Sequence, residues 1–131
     1  MIIDKLAWIH LKDKKILVTL SKGKDAWFMP GGKRFAGESD EQTLIREVRE
    51  ELNLDLVPSS IRYYGTFQAQ AYGKPIDTFV RLTCYTADFN GIPTPSNEVA
   101  QCDYFNYAQK SKTTPASLLL FDDLKQKNLI D

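Results

Sequence analysis

The stretch 30–54, PGGKRFAGESDEQTLIREVREELNL, restricts this chain more than any other, because it joins a glycine turn to a helix that ends in a crowd of carboxylates. At about 100° per residue, Leu44, Ile45, Val48 and Leu52 fall on one apolar stripe, while Glu47, Glu50 and Glu51 occupy the arc beside it. One face is suited to packing and its neighbour is acidic. Ser39 is placed to cap the helix and Gln42, three residues on, to complete a capping box, so a helix over Asp40–Leu52 is expected.

The far end of that helix is electrostatically unfavourable. Glu50 and Glu51 lie in the last turn, beside the negative pole of the helix dipole, where each acid costs about 0.3–1 kcal/mol. Glu47 adds like-charge neighbours three and four residues away, at about 0.2–0.5 kcal/mol per pair. A divalent cation held among the three acids removes these penalties. Arg46 and Arg49 balance part of the charge, so a solvated, charge-laced face accounts for the helix alone. It leaves the loop before it unexplained, since two adjacent glycines after Pro30 suit a backbone that approaches a ligand closely or takes positive φ.

Read in order, Gly32, five residues, Glu38, seven residues, Arg46-Glu47-Val48, one residue, Glu50-Glu51, one residue, Asn53-Leu54 resembles the signature box of the Nudix hydrolases, with each of its charged positions present. Asn53 departs from the pattern, standing where the family usually has glycine. After a helix end that position takes a left-handed conformation, for which Asn is the next best residue.

The resemblance implies a single domain over 1–131 with the α/β/α sandwich and mixed β-sheet of the Nudix fold, and Mg²⁺- or Mn²⁺-dependent hydrolysis of a diphosphate linkage. Carried over to this chain, it makes Glu50 and Glu51 the principal metal ligands, with the carbonyl of Gly31 filling another position. Glu47 shares coordination or acts as the base, Arg46 orients Glu47, and Glu38 stands behind the ligands. Glu98, in the loop SNEVAQCDYF, is by resemblance a base or an extra ligand, and otherwise an exposed loop charge. The Gly31-Gly32-Lys33 run is similar to that of the MutT-like nucleoside triphosphate pyrophosphohydrolases.

The residues themselves agree with this chemistry. Clustered carboxylates beside backbone carbonyls offer hard oxygen ligands suited to Mg²⁺ or Mn²⁺ and poorly suited to zinc. Lys33 and Arg34, with Lys22 and Lys24 behind them, are candidates to clamp a diphosphate; Phe28 and Tyr72, among Trp27, Phe35 and Tyr64, are candidates to stack on a base. The first functional reading is a (d)NTP pyrophosphohydrolase releasing NMP and pyrophosphate. The alternatives are an ADP-ribose or nucleotide-sugar pyrophosphatase and a nucleotide-binding sensor without activity. A sensor of this family typically loses box acids, and none is lost here.

The remainder of the chain bounds these readings. With 131 residues, 43% of them hydrophobic, one core is expected. Seventeen basic and 17 acidic residues without a run of either sign argue against a nucleic-acid stripe. No apolar run has transmembrane or signal-peptide length, and Cys84 and Cys102 lack metal spacing, so a cytoplasmic protein with reduced thiols is expected. Its partner would be a small nucleotide, with no membrane, and its state a monomer or homodimer. Strands are expected at 2–11 and 15–20 around a turn, then at 61–70, 76–89 and 99–107, and a second helix over 116–127 after Thr114-Pro115. His10 reads as an ordinary half-buried residue.

Overall fold

The computed structural model describes residues 1–131. In chain order it contains β1 (Ile2–Ile9), β2 (Leu11–Lys12), β3 (Lys15–Ser21), β4 (Gly31–Gly32), α1 (Asp40–Leu52), β5 (Asp55–Leu56), β6 (Arg62–Gln70), β7 (Phe79–Thr86), β8 (Phe89–Asn90), β9 (Val99–Phe105) and α2 (Pro115–Gln126). Short 3₁₀ turns lie at Pro58–Ser60 and Tyr107–Lys112.

Period-two alternation in the central strands separates two cores. Leu6 and Trp8 of β1 and Leu17 of β3 pack with Leu44, Val48 and Leu52 of α1. Ala7 and Ile9 of β1 and Ile16 and Val18 of β3 point the other way, onto Ala116, Leu120, Phe121 and Leu124 of α2. Sheets between two helices make an α/β/α sandwich, in which each fully buried large apolar side chain contributes about 1.5–3 kcal/mol. The four-stranded sheet, ordered β4-β1-β7-β6, is mixed: β1 runs parallel to β7 and antiparallel to β4. A second sheet, β2-β3-β9, is antiparallel.

The strand expected over 2–11 divides at His10. β1 pairs with β4 and β7 whereas β2 pairs with β3, so the chain changes sheets at this residue. His10 stacks on Trp8 at 5.2 Å and meets the rings of Phe89 and Tyr104 edge-on. The hairpin turn takes positive φ at Asp13 and Lys14. The strand expected from 76 begins at Phe79, because a turn closed by Thr78 N–H on the Pro75 carbonyl at 2.9 Å holds the chain back and leaves Ile76 89% exposed. Asn53 ends α1 at φ 56°, ψ 39°, the left-handed conformation that its place after the helix required. Cys84 and Cys102 are unpaired, and burial pushes the Cys84 thiol up to about 12. No helix is long and apolar enough to cross a membrane.

Candidate active site

The site grows from the junction between β4 and α1. Gly31 lies opposite Ala7 of β1 at φ 144°, and a Cβ on it would fall on the Leu6 carbonyl, so only glycine lets β4 press this closely onto β1. Its N–H donates to Glu51 Oε1 at 3.0 Å. At Gly32 a Cβ would stand 2.6 Å from the Glu47 carboxyl carbon. The two glycines thus bring the loop against the last acids of α1.

The helix start is fixed by the expected capping box. Gln42 N–H donates to Ser39 Oγ at 3.1 Å, and Ser39 N–H to Gln42 Oε1 at 2.9 Å. Just before it, Glu38 accepts from Arg46 Nε at 2.8 Å, Arg46 Nη2 at 2.9 Å, Phe35 N–H at 2.7 Å and Thr43 Oγ1 at 3.0 Å. Arg46 also donates to Glu47 Oε1 at 2.7 Å and to the Lys33 carbonyl at 3.1 Å, and the Phe35 ring centroid lies 3.6 Å from its guanidinium carbon. Every nitrogen of the Arg46 fork donates, and its position is set by four partners.

These surroundings divide the acids electrostatically. The Arg46 hydrogen bonds, with those of Phe35 and Thr43, hold the Glu38 carboxyl down at about 2. For Glu47, burial outweighs the Arg46 contact and raises the pKa. Glu51 is pushed up to about 8, chiefly by burial and then by Glu47 and Glu50, against the opposing Gly31 N–H and Lys5. Its Oε1 takes the Gly31 bond and its other oxygen accepts none.

As they stand, no three acidic, His or Cys side chains converge closely enough to hold a metal. Glu47 is turned to Arg46, and Glu50 Oε2 lies 3.5 Å from Arg46 Nη1. The donor set nevertheless fits Mg²⁺ or Mn²⁺: it is all oxygen, and positions 47, 50 and 51 share one turn of α1, so the acids can meet by side-chain rotation on a rigid helix. The free Glu51 oxygen has no donor, and Glu51 lines the open cleft from which a cation could reach it.

Beside Glu51 opens a cleft of about 710 Å³ between the sheets and the start of α2. Of the residues expected to touch substrate, Lys33, Lys24, Phe28 and Tyr72 line it, with Phe28 and Tyr72 edge to face at 6.5 Å and Tyr72 Oη donating to Asp25 at 2.6 Å. Arg34 does not. Its Nε is 2.6 Å from Asp40, which Tyr85 Oη also bonds at 2.6 Å, so the diphosphate contact expected of Arg34 gives way to an ion pair at the start of α1. Lys22 lies outside the lining, Trp27 packs on Phe105 at 5.0 Å, and Tyr64 bonds Asp123 at 2.6 Å.

Glu98 is exposed, outside the cleft lining, with its side chain unpartnered. Its loop is clipped to the helix end: Ser96 N–H donates to the Glu51 carbonyl at 3.0 Å and Asn97 Nδ2 to the Glu50 carbonyl at 2.8 Å, satisfying acceptors that α1 leaves open. Sequence reasoning missed Lys5, which lines the cleft with its Nζ 5.4 Å from the Phe28 ring centroid. The available signal was its register with Ile3, Ala7 and Ile9 on one face of β1.

The sequence model described as NUDIX domain matches residues 6–122. The mRNA-decapping enzyme subunit 2 of Saccharomyces cerevisiae is 31% identical over 99 residues, which is 76% of this chain but 10% of that protein, so the chain spans about a tenth of that relative. The solution structure of the E. coli ORF135 protein superposes with a TM-score of 0.73 at 25% identity, covering 99% of this chain and 95% of that one. A MutT NUDIX hydrolase from Burkholderia pseudomallei shares the fold with a TM-score of 0.76 at 19% identity, covering 93% of this chain and 97% of that one. A family match that runs through the glycine junction, the acidic helix and most of both sheets leaves one conclusion: this chain belongs to the Nudix family.

Proposed function

We propose that the protein is a Mg²⁺- or Mn²⁺-dependent pyrophosphohydrolase of nucleoside triphosphates, converting a (d)NTP and water to the NMP and pyrophosphate in the cytoplasm. The observation that carries this reading is Glu51, a largely buried carboxylate with one oxygen free, at the mouth of a cleft lined with lysine and aromatic side chains. Glu50, Glu51 and the Gly31 carbonyl would hold the cation, with Glu47 sharing it. A bound Mg²⁺ would screen the acids from the phosphates, polarise a phosphoryl oxygen and orient water.

The chain's own groups supply the rest. Arg46 holds the Glu47 carboxylate in place, and the pKa of Glu47, raised by burial, suits it to take the proton from the attacking water. Glu98 is the other candidate for that proton, its carboxylate free of partners on a loop tied to the end of α1. As water adds to phosphorus, the α–β anhydride bond breaks and pyrophosphate leaves. Lys24 and Lys33 face the departing charge, while the crossed rings of Phe28 and Tyr72 offer a face for the base.

The test is a panel of NTPs, oxidised dNTPs, ADP-ribose and nucleotide sugars with Mg²⁺, with products separated by anion-exchange chromatography. An NMP and pyrophosphate from at least one triphosphate, abolished by EDTA, is the expected result. Turnover confined to ADP-ribose or nucleotide sugars, or absent throughout, would overturn the proposal.

A further inference from the structure

Four lysines line the cleft beside Glu51, namely Lys5, Lys24, Lys33 and Lys74. None has an ion pair or a side-chain hydrogen bond; Lys12, Lys15, Lys22, Lys112 and Lys125 are also without an ion pair, and what sets the four apart is that they gather in one concave site. The cleft holds two carboxylates against these four lysines: Asp25, which takes the Tyr72 hydroxyl, and Glu51, which takes the Gly31 N–H on one oxygen and keeps the other free. Unpaired like charges gathered in a concave site repel one another, and the repulsion is relieved by a ligand that brings several negative charges at once.

Lys5 differs from the other three in where it is rooted. Those stand on loops, while Lys5 is in the middle of β1, hydrogen-bonded into the sheet between β4 and β7, with Leu6 opposite Gly32 and Lys5 itself opposite Leu82. Its side chain is half-buried and its Nζ lies 5.4 Å from the Phe28 ring centroid, so its charge is anchored to the sheet and not to a loop. It is a fixed positive charge one strand away from the glycine junction where the candidate metal ligands gather.

Building on the triphosphate reading above, we propose that Lys5 is the specificity-determining residue that binds the extra phosphoryl charge of a triphosphate chain. Lys24, Lys33 and Lys74 back it, so the site favours polyphosphate chains over diphosphates that end in a neutral sugar. A neutral sugar in this position would leave the lysine charges uncompensated, its hydroxyls accepting from the ammonium groups without an opposing charge.

The test uses inorganic tripolyphosphate and two substrates. Calorimetry without divalent metal should give binding to the wild type that weakens about tenfold or more in Lys5→Met and by less than about threefold in Lys5→Arg. With metal, Lys5→Met should raise KM for a hydrolysed nucleoside triphosphate by about tenfold while changing kcat/KM for the matching nucleoside diphosphate sugar by less than about twofold. Equal losses on both substrates, or unaltered tripolyphosphate affinity, would overturn the assignment.

A wild type that hydrolyses no triphosphate would sink the functional reading, and the tripolyphosphate titration would still report on Lys5. Should Lys5→Met fail to fold, lysine labelling of the wild type followed by mass spectrometry decides. Tripolyphosphate should protect Lys5 and leave Lys14 unchanged, and unprotected Lys5 would refute the proposal.

Discussion

Glu38 and Glu51 flank the same helix and are treated in opposite ways. Glu38 accepts four hydrogen bonds, two of them from the Arg46 fork, and its carboxyl is held at about 2. Glu51 accepts one, from the Gly31 backbone, and burial beside Glu47 and Glu50 pushes it up to about 8. The Glu38 side of α1 is complete without any ligand and sets the geometry. The Glu51 side faces a cleft of unpaired lysines and keeps one carboxylate oxygen without a donor. On the proposed function, positioning and binding divide between the two ends of one helix, and substitutions should separate them.

The largest effect is expected at the unfinished end. Glu51→Gln should lower turnover by about 10³-fold or more in a pyrophosphate-release assay, because a charged ligand near phosphorus is lost. Its effect on stability should have the opposite sign. The folded carboxyl titrates at about 8 against an ordinary 4.5, so the unfolded chain ionises more readily, and the wild type without metal loses stability as pH rises from 4.5 to 8. The Gln variant has nothing to ionise there, so in chelator its melting advantage should be absent at pH 4 and grow up to pH 8. Mg²⁺ should raise the wild-type melting temperature and leave the variant's unchanged. A constant melting difference between pH 4 and 8 would contradict the burial of this charge.

On the finished side the pattern should reverse. Arg46→Lys keeps the charge but cannot span Glu38, Glu47 and the Lys33 carbonyl together, so kcat should fall by about 10- to 100-fold with KM little changed. The variant should melt lower than the wild type both with and without Mg²⁺. A melting loss that Mg²⁺ abolishes would place Arg46 on the binding side and collapse the distinction.

Legibility in the sequence followed the same division. The shared arc of Glu47, Glu50 and Glu51 was readable because a helix fixes it through spacing, the pairing of Arg46 with Glu47 came only from the family resemblance, and Ser39, Gln42 and Asn53 marked the helix ends by local chemistry. Relations between distant segments were not. Nothing at His10 interrupts the apolar alternation, so the passage of the chain from one sheet to the other shows only in the pairing of β1 with β7 and of β2 with β3. Lys5 looked like one charge in an ordinary strand until β7 and the 71–74 turn closed over its face. Arg34 read as a phosphate ligand because it follows Lys33, but the turn at 35–38 folds it back onto Asp40.

The paired glycines offer a sharper cut between structure and chemistry. Gly31→Ala must push its Cβ into the Leu6 carbonyl from a backbone at φ 144°, so it should destabilise the fold by about 2 kcal/mol or more. The three atoms nearest a Gly32→Ala Cβ all belong to the Glu47 carboxylate, the end of a flexible side chain, the closest at 2.6 Å. This variant should therefore cost little stability while lowering kcat by about tenfold through displacement of Glu47 from Arg46. Chemical denaturation and steady-state kinetics on the two variants check this, and equal stability losses would mean that the loop, not the carboxylate, absorbs the second methyl group.

The smallest effect should come from Phe35, a side chain 61% exposed, where an apolar ring gains little from burial. Its ring lies on the Arg46 guanidinium, shielding from water the ion pairs that Arg46 makes with Glu38 and Glu47. A cation–π contact at such an exposed site is worth about 0.5–1 kcal/mol, which converts to roughly two- to fivefold in rate if Arg46 must stay fixed for Glu47 to act. Phe35→Ala should lose that factor in kcat, and Phe35→Trp should restore it, because the backbone N–H to Glu38 persists in both and only the ring changes. Raising the salt concentration should widen the gap between Phe35→Ala and the wild type, since an uncovered ion pair is screened more readily than a covered one. A salt-independent gap would mean that the ring acts by packing alone, and that the hydrogen bonds around Glu38 hold Arg46 without its help.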